Sequence, residues 1–359
     1  MIAPRTGKIR AAVIGCGRMG AATSEAMRRF APAAWMPLSH ADAVVDQPSL
    51  ELVGMCDIAP GLLASATARF GVPGYADYRQ LLDALQPELV TVATRTPERP
   101  DIIAAAVAAG ARALHLEKPL CNSIAQLAHL EALFADPSLA CTFGTLRRYM
   151  PIYHRARTLA GEADFGGLNQ VQVNMGKAPL MWTHPHSIDL LLFLAADRPV
   201  RSVSARFVEG SVERQGSRID GDPVVTSVLF EFDDGLTGMI GQTGGCDVIL
   251  AGNNGTIAVE SDGRRLRIRA SEGNDAYWDR HLLEEADGSP GGTRLALDRL
   301  VEGLDGNVAQ ILADKRAILI GQRLLLACGQ SHLAGGAAID PNELDPDLVI
   351  TGRSGNRYA

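Results

Sequence analysis

Residues 9–20 read IRAAVIGCGRMG. The first six form a short run, apolar but for Arg10, and the run stops at a glycine. Gly15, Gly17 and Gly20 then follow in the spacing G-x-G-x-x-G, with a helix-compatible stretch behind them. Between a strand and a helix, each glycine of that spacing has a task. The first permits a tight turn, the second lets backbone approach a pyrophosphate, and the third allows close helix–strand packing. Free N–H groups at the helix start then meet the phosphates. Three glycines alone would also suit an ordinary turn. The strand before, the helix after and an acidic residue closing the next strand favour a dinucleotide. Gly15, Gly17, Arg18, Met19 and Gly20 are therefore expected to form a cofactor loop.

The acidic residue is Asp57, in GMCDIAP. A carboxylate there accepts ribose hydroxyls and repels a 2′-phosphate, which favours NAD over NADP. Its alternative role is to cap the following helix. The interval from Gly20 to Asp57 exceeds the usual ~20 residues. The excess falls around RFAPAAWMPLSH, whose two prolines predict a loop or broken helix. Residues 32–39, with Trp35 and Met36, are expected to form an apolar lid over bound ligands.

Outward from this unit, LELVGMCD, ELVTVAT, ARALHLEKP and LACTFG are further apolar runs, separated by helical stretches such as DYRQLLDAL and PDIIAAAVAAG. Strands alternating with helices predict right-handed crossovers and a parallel sheet, a doubly wound α/β domain over residues 1–148. Beyond it, a helix is expected over residues 152–159. Longer alternating strands follow in VRSVSARFVEGSV, VVTSVLFEFDDGLTGMIGQT and GTIAVESDGRRLRIRA. Asp-Asp-Gly between two such runs marks a hairpin. GTRLALDRLVEGL and DKRAILIGQRLLLACGQ read as helices, and DPNELDPDLVITGRSGNRYA as an extended tail. Residues 149–359 are thus an α+β domain on an open, mostly antiparallel sheet.

Bulk properties agree. A chain of 359 residues exceeds what one core usually serves. Apolar residues are 47%, charged residues 21%, and the net charge is -7. No basic block suggests nucleic acid or an anionic membrane. No apolar run would span a bilayer, and MIAPRTGKIR lacks the core of a signal peptide. The six cysteines form no CxxC pair, which predicts neither zinc site nor disulfide framework. Cys16, Cys56, Cys141 and Cys328 read as small core residues of a reduced, cytoplasmic protein.

The glycine motif, VATRTPERP, the EKP of Glu117, Lys118 and Pro119, FGTLRRY and HSIDLLLFL together resemble the Gfo/Idh/MocA family of oxidoreductases, over nearly the whole chain. The resemblance implies a Rossmann domain plus a mostly antiparallel substrate domain. It implies oxidation or reduction at a sugar or cyclitol hydroxyl through a nicotinamide. It also implies association into homodimers or homotetramers through the open sheet face. Carried onto this chain, it makes Lys118 the cation between nicotinamide and substrate, where it can stabilise a developing negative oxygen. Thr94, Arg95 and Glu117, at strand ends, should face the cofactor. The family commonly has proline where Arg95 stands.

Family members place the catalytic histidine before an Ile-Asp-Leu-Leu helix, with two residues between His and Asp. In THPHSIDLLLFL, residues 183–194, that histidine is His186. Thr183 is a plausible N-cap and Pro185 suits a first turn, so His186 is expected in the first turn, held neutral by the helix dipole. A neutral imidazole is the form that accepts an alcohol proton. Many members carry aspartate four residues earlier, where this chain has Trp182. Lys177 and His184 are the nearest polar replacements. Trp182 could stack on a sugar or on nicotinamide, or pack in the core. His184 is expected to touch substrate or cap the helix, and Asp189 to bind substrate or orient neighbours. A metal held by His184 and His186 lacks a third ligand. The expected activity is hydride transfer between NAD(H) and a small-molecule polyol or sugar: a sugar, amino sugar, cyclitol or nucleotide-linked sugar. An NAD-dependent glycoside hydrolase and a non-catalytic NAD-binding regulator are the alternatives.

Overall fold

The computed structural model describes residues 7–270, 280–286, 288 and 291–352. Strands β1 (Ile9–Ile14), β2 (Leu50–Cys56), β3 (Gly74–Tyr75), β4 (Leu89–Val92), β5 (Ala113–Leu116) and β6 (Ala140–Phe143) form one parallel sheet in the order β3-β2-β1-β4-β5-β6. β4, β5 and β6 are buried along their whole length, as apolar strands covered on both faces must be. The strand order reverses between β1 and β4, where sheets of this kind bind ligands at their carboxyl edge. β3 has only two residues, too few to show a period in the sequence.

The glycine loop is not followed by a continuous helix. One turn forms, with the Ala21 N–H on Gly17 O at 2.9 Å, and then the chain leaves. It makes a short helix Glu25–Phe30 and a 3-10 turn Ala33–Trp35, and returns as the helix His40–Asp46. The return is stacked on the departure: His40 N–H donates to Met19 O at 2.7 Å, and Ala41 N–H to Gly20 O at 2.8 Å. Both bonds join residues 21 apart, where an unbroken helix joins residues four apart. The difference is an excursion of 17 residues, positions 22–38. Subtracting those 17 from the 37 that separate Gly20 from Asp57 leaves 20, the ordinary interval. At the seam, Ala21 O is satisfied by Arg69 Nη1 at 2.6 Å and the Asp42 N–H by Ser39 Oγ at 3.3 Å. The excursion is thus the broken helix the prolines predicted. It docks on the start of a later helix, with Thr293 N–H on Pro37 O and Thr293 Oγ1 on Leu38 O. Gly292 is required there, because a Cβ would stand 2.0 Å from Trp35 O.

The second sheet has nine strands. β7 (Leu168–Asn174) and β8 (Ala178–Pro179) precede the helix Leu180–Leu194. β9 (Val200–Phe207) leads to two short strands, β10 (Glu213–Gln215) and β11 (Arg218–Asp220). β12 (Val224–Phe232) and β13 (Thr237–Gly241) make the hairpin expected at Asp233-Asp234-Gly235. β14 (Asp247–Gly252), β15 (Gly255–Glu260), β16 (Arg265–Ala270) and β17 (Arg280–Glu285) complete the sheet. All pairings in it are antiparallel except β7 with β13. The tail holds a further strand, β18 (Val349–Ile350), which joins β10 and β11 in a small sheet of their own. β18 also bridges Ser123, just after β5, so it ties the two halves of the chain together.

Helix Gly292–Leu304 returns to the first sheet. Its Leu297, Leu300 and Leu304 pack with Ile9, Ala11, Leu89, Ala113 and Ala140, beside Ala43 and Val44 of the returning helix. Among the described residues no helix is long and apolar enough to cross a membrane. All six cysteines are free; Cys16, Cys56, Cys141 and Cys328 are buried among core residues.

Candidate active site

The glycine loop fits a pyrophosphate. Gly15 has φ +98°, and a Cβ there would lie 2.8 Å from the Ala93 carbonyl carbon at the end of β4. A Cβ on Gly20 would lie 1.7 Å from Gly15 O. At Gly17 a Cβ would meet nothing within 4 Å, so backbone faces open space where a phosphate must approach. Arg18 and Met19 are half-buried on the same turn. Asp57 stands at the end of β2, half-buried. Its Oδ2 accepts the Cys16 N–H at 2.6 Å, and its Oδ1 accepts the Ala59 N–H at 2.8 Å. The carboxylate therefore braces the loop from the end of β2.

Thr94 and Arg95 follow β4, with Thr94 half-buried and Arg95 exposed. Buried Arg99 ties that turn to the next one, its Nη2 donating to Thr94 O and its Nη1 to Pro119 O. Glu117 is buried. Burial works against its charge, but the hydrogen bond from His40 and the charges of His40, Lys118 and Arg99 hold its carboxyl down to about 2. His40 Nε2 stands 3.4 Å from Glu117 Oε1, and Oε2 accepts the Lys118 N–H at 3.2 Å. The helix to which the excursion returns thus opens on a residue that grips the EKP turn.

Lys118 is half-buried and reaches across to the second domain. Its Nζ donates to Trp182 O at 2.6 Å and lies 4.1 Å from the Trp182 ring centroid. Arg18 of the glycine loop stands 5.4 Å from the same ring. Trp182 therefore bridges the cofactor loop and the EKP lysine. Burial pulls the Lys118 amine down to about 8, against the opposing pull of Glu117 and Asp222.

Helix Leu180–Leu194 begins three residues before the expected N-cap. Thr183 lies inside it, Pro185 is in its interior, and His186 is the seventh residue rather than one of the first turn. The reason is a cap from outside the segment. Asp222 Oδ1 accepts the Met181 N–H at 2.7 Å and Oδ2 the Trp182 N–H at 3.0 Å, while Pro223 O accepts the Leu180 N–H at 2.8 Å. The helix dipole fades beyond the first turn. It is burial, then the charges of Lys118 and Arg147, that holds His186 well below the ordinary histidine range. The expected neutral ring is present for a different reason.

The two histidines diverge. Positions two apart on a helix differ by about 200°. His186 is half-buried, whereas His184 is fully buried, with Nδ1 on Ser187 Oγ at 3.0 Å. His184 is thus a packing residue, not the expected substrate contact. Asp189 is also buried, and accepts Arg148 Nε at 2.8 Å, while Arg148 Nη2 donates to Asp189 O at 3.2 Å. It anchors the helix rather than offering itself to substrate. Arg147 makes a two-pronged pair with Asp262 at 2.7 and 2.9 Å. Lys177 is exposed. The carboxylate that reaches this corner is Asp222.

Asp222, Arg99 and His40 went unread in the sequence, since they act on backbone or side chains far along the chain. Arg147 and Arg148 did leave a signal: paired arginines in the apolar FGTLRRYM must be buried, and buried charges need partners.

Residues 9–145 match the family model described as the Gfo/Idh/MocA oxidoreductase family, NAD-binding Rossmann fold. The match covers the first domain: residues 9–145 are similar to the NAD-binding domain of the Gfo/Idh/MocA oxidoreductases. No curated protein matches the chain. Solved structures are similar to it along nearly the whole chain. An inositol dehydrogenase homolog from Azotobacter vinelandii, complexed with NADH and myo-inositol, has TM-score 0.71 at 18% identity, over 93% of this chain and 98% of its own. The WlbA dehydrogenase from Bordetella pertussis, in complex with NADH and UDP-GlcNAcA, has TM-score 0.69 at 19% identity, over 94% and 100%. An NAD binding oxidoreductase from Klebsiella pneumoniae has TM-score 0.74 at 18% identity, over 94% and 100%. At such identities the likeness is one of fold.

Proposed function

We propose that the chain is an NAD(H)-dependent dehydrogenase or reductase acting on a hydroxyl-bearing carbon of a sugar, amino sugar, cyclitol or nucleotide-linked sugar. In this reading residues 1–148 bind the cofactor and residues 149–359 bind substrate and a second copy. The observation that carries it is that Lys118 reaches from the first domain onto the helix that bears His186. Its Nζ donates to Trp182 O, four residues before His186, and the Trp182 side chain joins Lys118 to Arg18 of the glycine loop. NAD, when bound, accepts or returns the hydride. Gly15, Gly17, Arg18, Met19 and Gly20 hold its pyrophosphate, Asp57 its ribose hydroxyls, and Thr94, Arg95 and Glu117 flank it. His186 takes the alcohol proton. Its Nδ1 is buried without a hydrogen-bond partner, which leaves Nε2 as the working nitrogen. Lys118 steadies the oxygen as negative charge develops. Trp182 offers an aromatic face to the substrate ring. Buried free thiols suit a cytoplasmic setting.

The test is a panel of sugars, inositols and nucleotide sugars, each incubated with NAD or NADP while reduced nicotinamide is followed by absorbance. Turnover of a polyol that is at least tenfold slower in Lys118→Met and His186→Asn supports the reading. Cofactor binding with no turnover across the panel, in either direction, counts against it.

A further inference from the structure

The start of helix Leu180–Leu194 has no cap of its own: the N-cap is Pro179, which makes no side-chain bond. Its first three N–H groups all go to the dipeptide Asp222-Pro223, between β11 and β12. The third of them is that of Trp182. Its N–H is held by the Asp222 carboxylate, and its C=O accepts from Lys118 Nζ. One residue's backbone thus stands between a carboxylate and the amine that the proposed chemistry needs. The carboxylate is itself fixed in place. The Gly221 N–H donates to Thr351 Oγ1 at 2.8 Å, and the Gly352 N–H to Gly221 O at 3.1 Å. Asn122 Nδ2, four residues after Lys118, donates to Thr351 O at 3.2 Å. The ring of contacts closes back on the EKP segment.

We propose that Asp222 is a positioning residue for Lys118: it fixes the carbonyl that holds the amine and adds a negative charge to the amine's surroundings. A helix cap alone would need only an acceptor, which asparagine or serine supplies nearly as well. A charge role needs the carboxylate. The groups facing Lys118 come from several elements. Glu117 and Asp222 favour its charge, and Arg99 and Arg18 oppose it. His186 faces it from the site helix and stays neutral. Removing Asp222's charge leaves a balance tilted toward the two arginines, so Lys118 should lose its proton at lower pH.

This inference rests on the proposed role of Lys118, but its test does not use catalysis. The chain has four lysines, at positions 8, 118, 177 and 315. Reductive methylation of the whole protein with 13C-formaldehyde gives each a resolvable NMR signal, and Lys118→Arg assigns the one of interest. In the wild type that signal should titrate near 8. In Asp222→Asn the midpoint should fall by about half a unit or more, and in Asp222→Glu it should return toward the wild-type value. Should Asp222→Asn fold poorly, Asp222→Ser, a second neutral cap, repeats the measurement. An unchanged Lys118 midpoint in the neutral variant overturns the proposal and leaves Asp222 as a helix cap. Absence of turnover on the substrate panel would sink the functional reading while leaving this titration intact.

Discussion

In the proposed reading His186 is the working residue and His184 a packing residue, and the difference can be measured. His186→Asn keeps a polar ring-sized group but cannot shuttle a proton, so kcat should fall by roughly 10²–10⁴ with NAD affinity little changed. His184→Asn disturbs a buried hydrogen bond instead. Its cost should appear as about 1–3 kcal/mol of unfolding free energy in a denaturant titration, with kcat/KM near wild type. Asp57→Ser removes the charge that repels a 2′-phosphate, so kcat/KM for NAD relative to NADP should drop about tenfold or more. It also strips acceptors from the Cys16 and Ala59 N–H groups, so its melting temperature should fall as well. The pH profile follows from the two shifted groups. Lys118 is charged below about 8 and loses its proton as pH rises through that value, so oxidation should decline on the alkaline side there. His186 is neutral down to well below 6.5, so the acidic limb should lie far lower than an ordinary histidine would put it. The glycines, Asp57, Lys118 and His186 are legible because each sits in a local spacing. Asp222 is not, because it acts on the Trp182 N–H from 40 positions away.

Helix boundaries show the same limit one level up. Thr183 is the best local cap in its segment, yet the helix starts at Leu180, because an acceptor from another strand connection outcompetes it. The prolines of the excursion revealed that the first helix breaks, but not that its two pieces stack as though nothing lay between them. That stacking makes a prediction. Removing residues 22–38 and joining Ala21 to Ser39 should give a folded protein that still binds NAD, since the joined ends already have helical spacing. Circular dichroism and quenching of tryptophan fluorescence by NAD would check it; aggregation or lost binding would mean that the excursion is integral to the domain. The arginine of FGTLRRYM that anchors the site helix should be far less dispensable. Arg148→Met leaves Asp189 charged and buried, a change that typically costs about 3–5 kcal/mol.

Alternating strands and helices announce a Rossmann domain and a sheet domain, and both are present. What the pattern could not say is which sheet the amphipathic stretch GTRLALDRLVEGL covers. Its apolar stripe fits either, and only the packed structure assigns it to the first. The open face of the nine-stranded sheet exposes Leu229 and Ile249. Apolar side chains on an open sheet invite a second copy. If copies associate there, light scattering on a sizing column should report an oligomer for the wild type and a monomer for Leu229→Glu combined with Ile249→Glu.

The return of helix Gly292–Leu304 to the first sheet has a consequence for how the protein is born. The six parallel strands have all left the ribosome once Phe143 is out, but the helix that seals one of their faces is still some 150 residues away in the message. At translation speeds of 5–20 residues per second, that face stays uncovered for on the order of 10–30 s. Ile9, Ala11, Leu89, Ala113 and Ala140 are what a nascent chain would present to a chaperone in that interval. A stalled chain ending before position 292 should therefore be captured by such a holdase, and one extended past position 304 should be released.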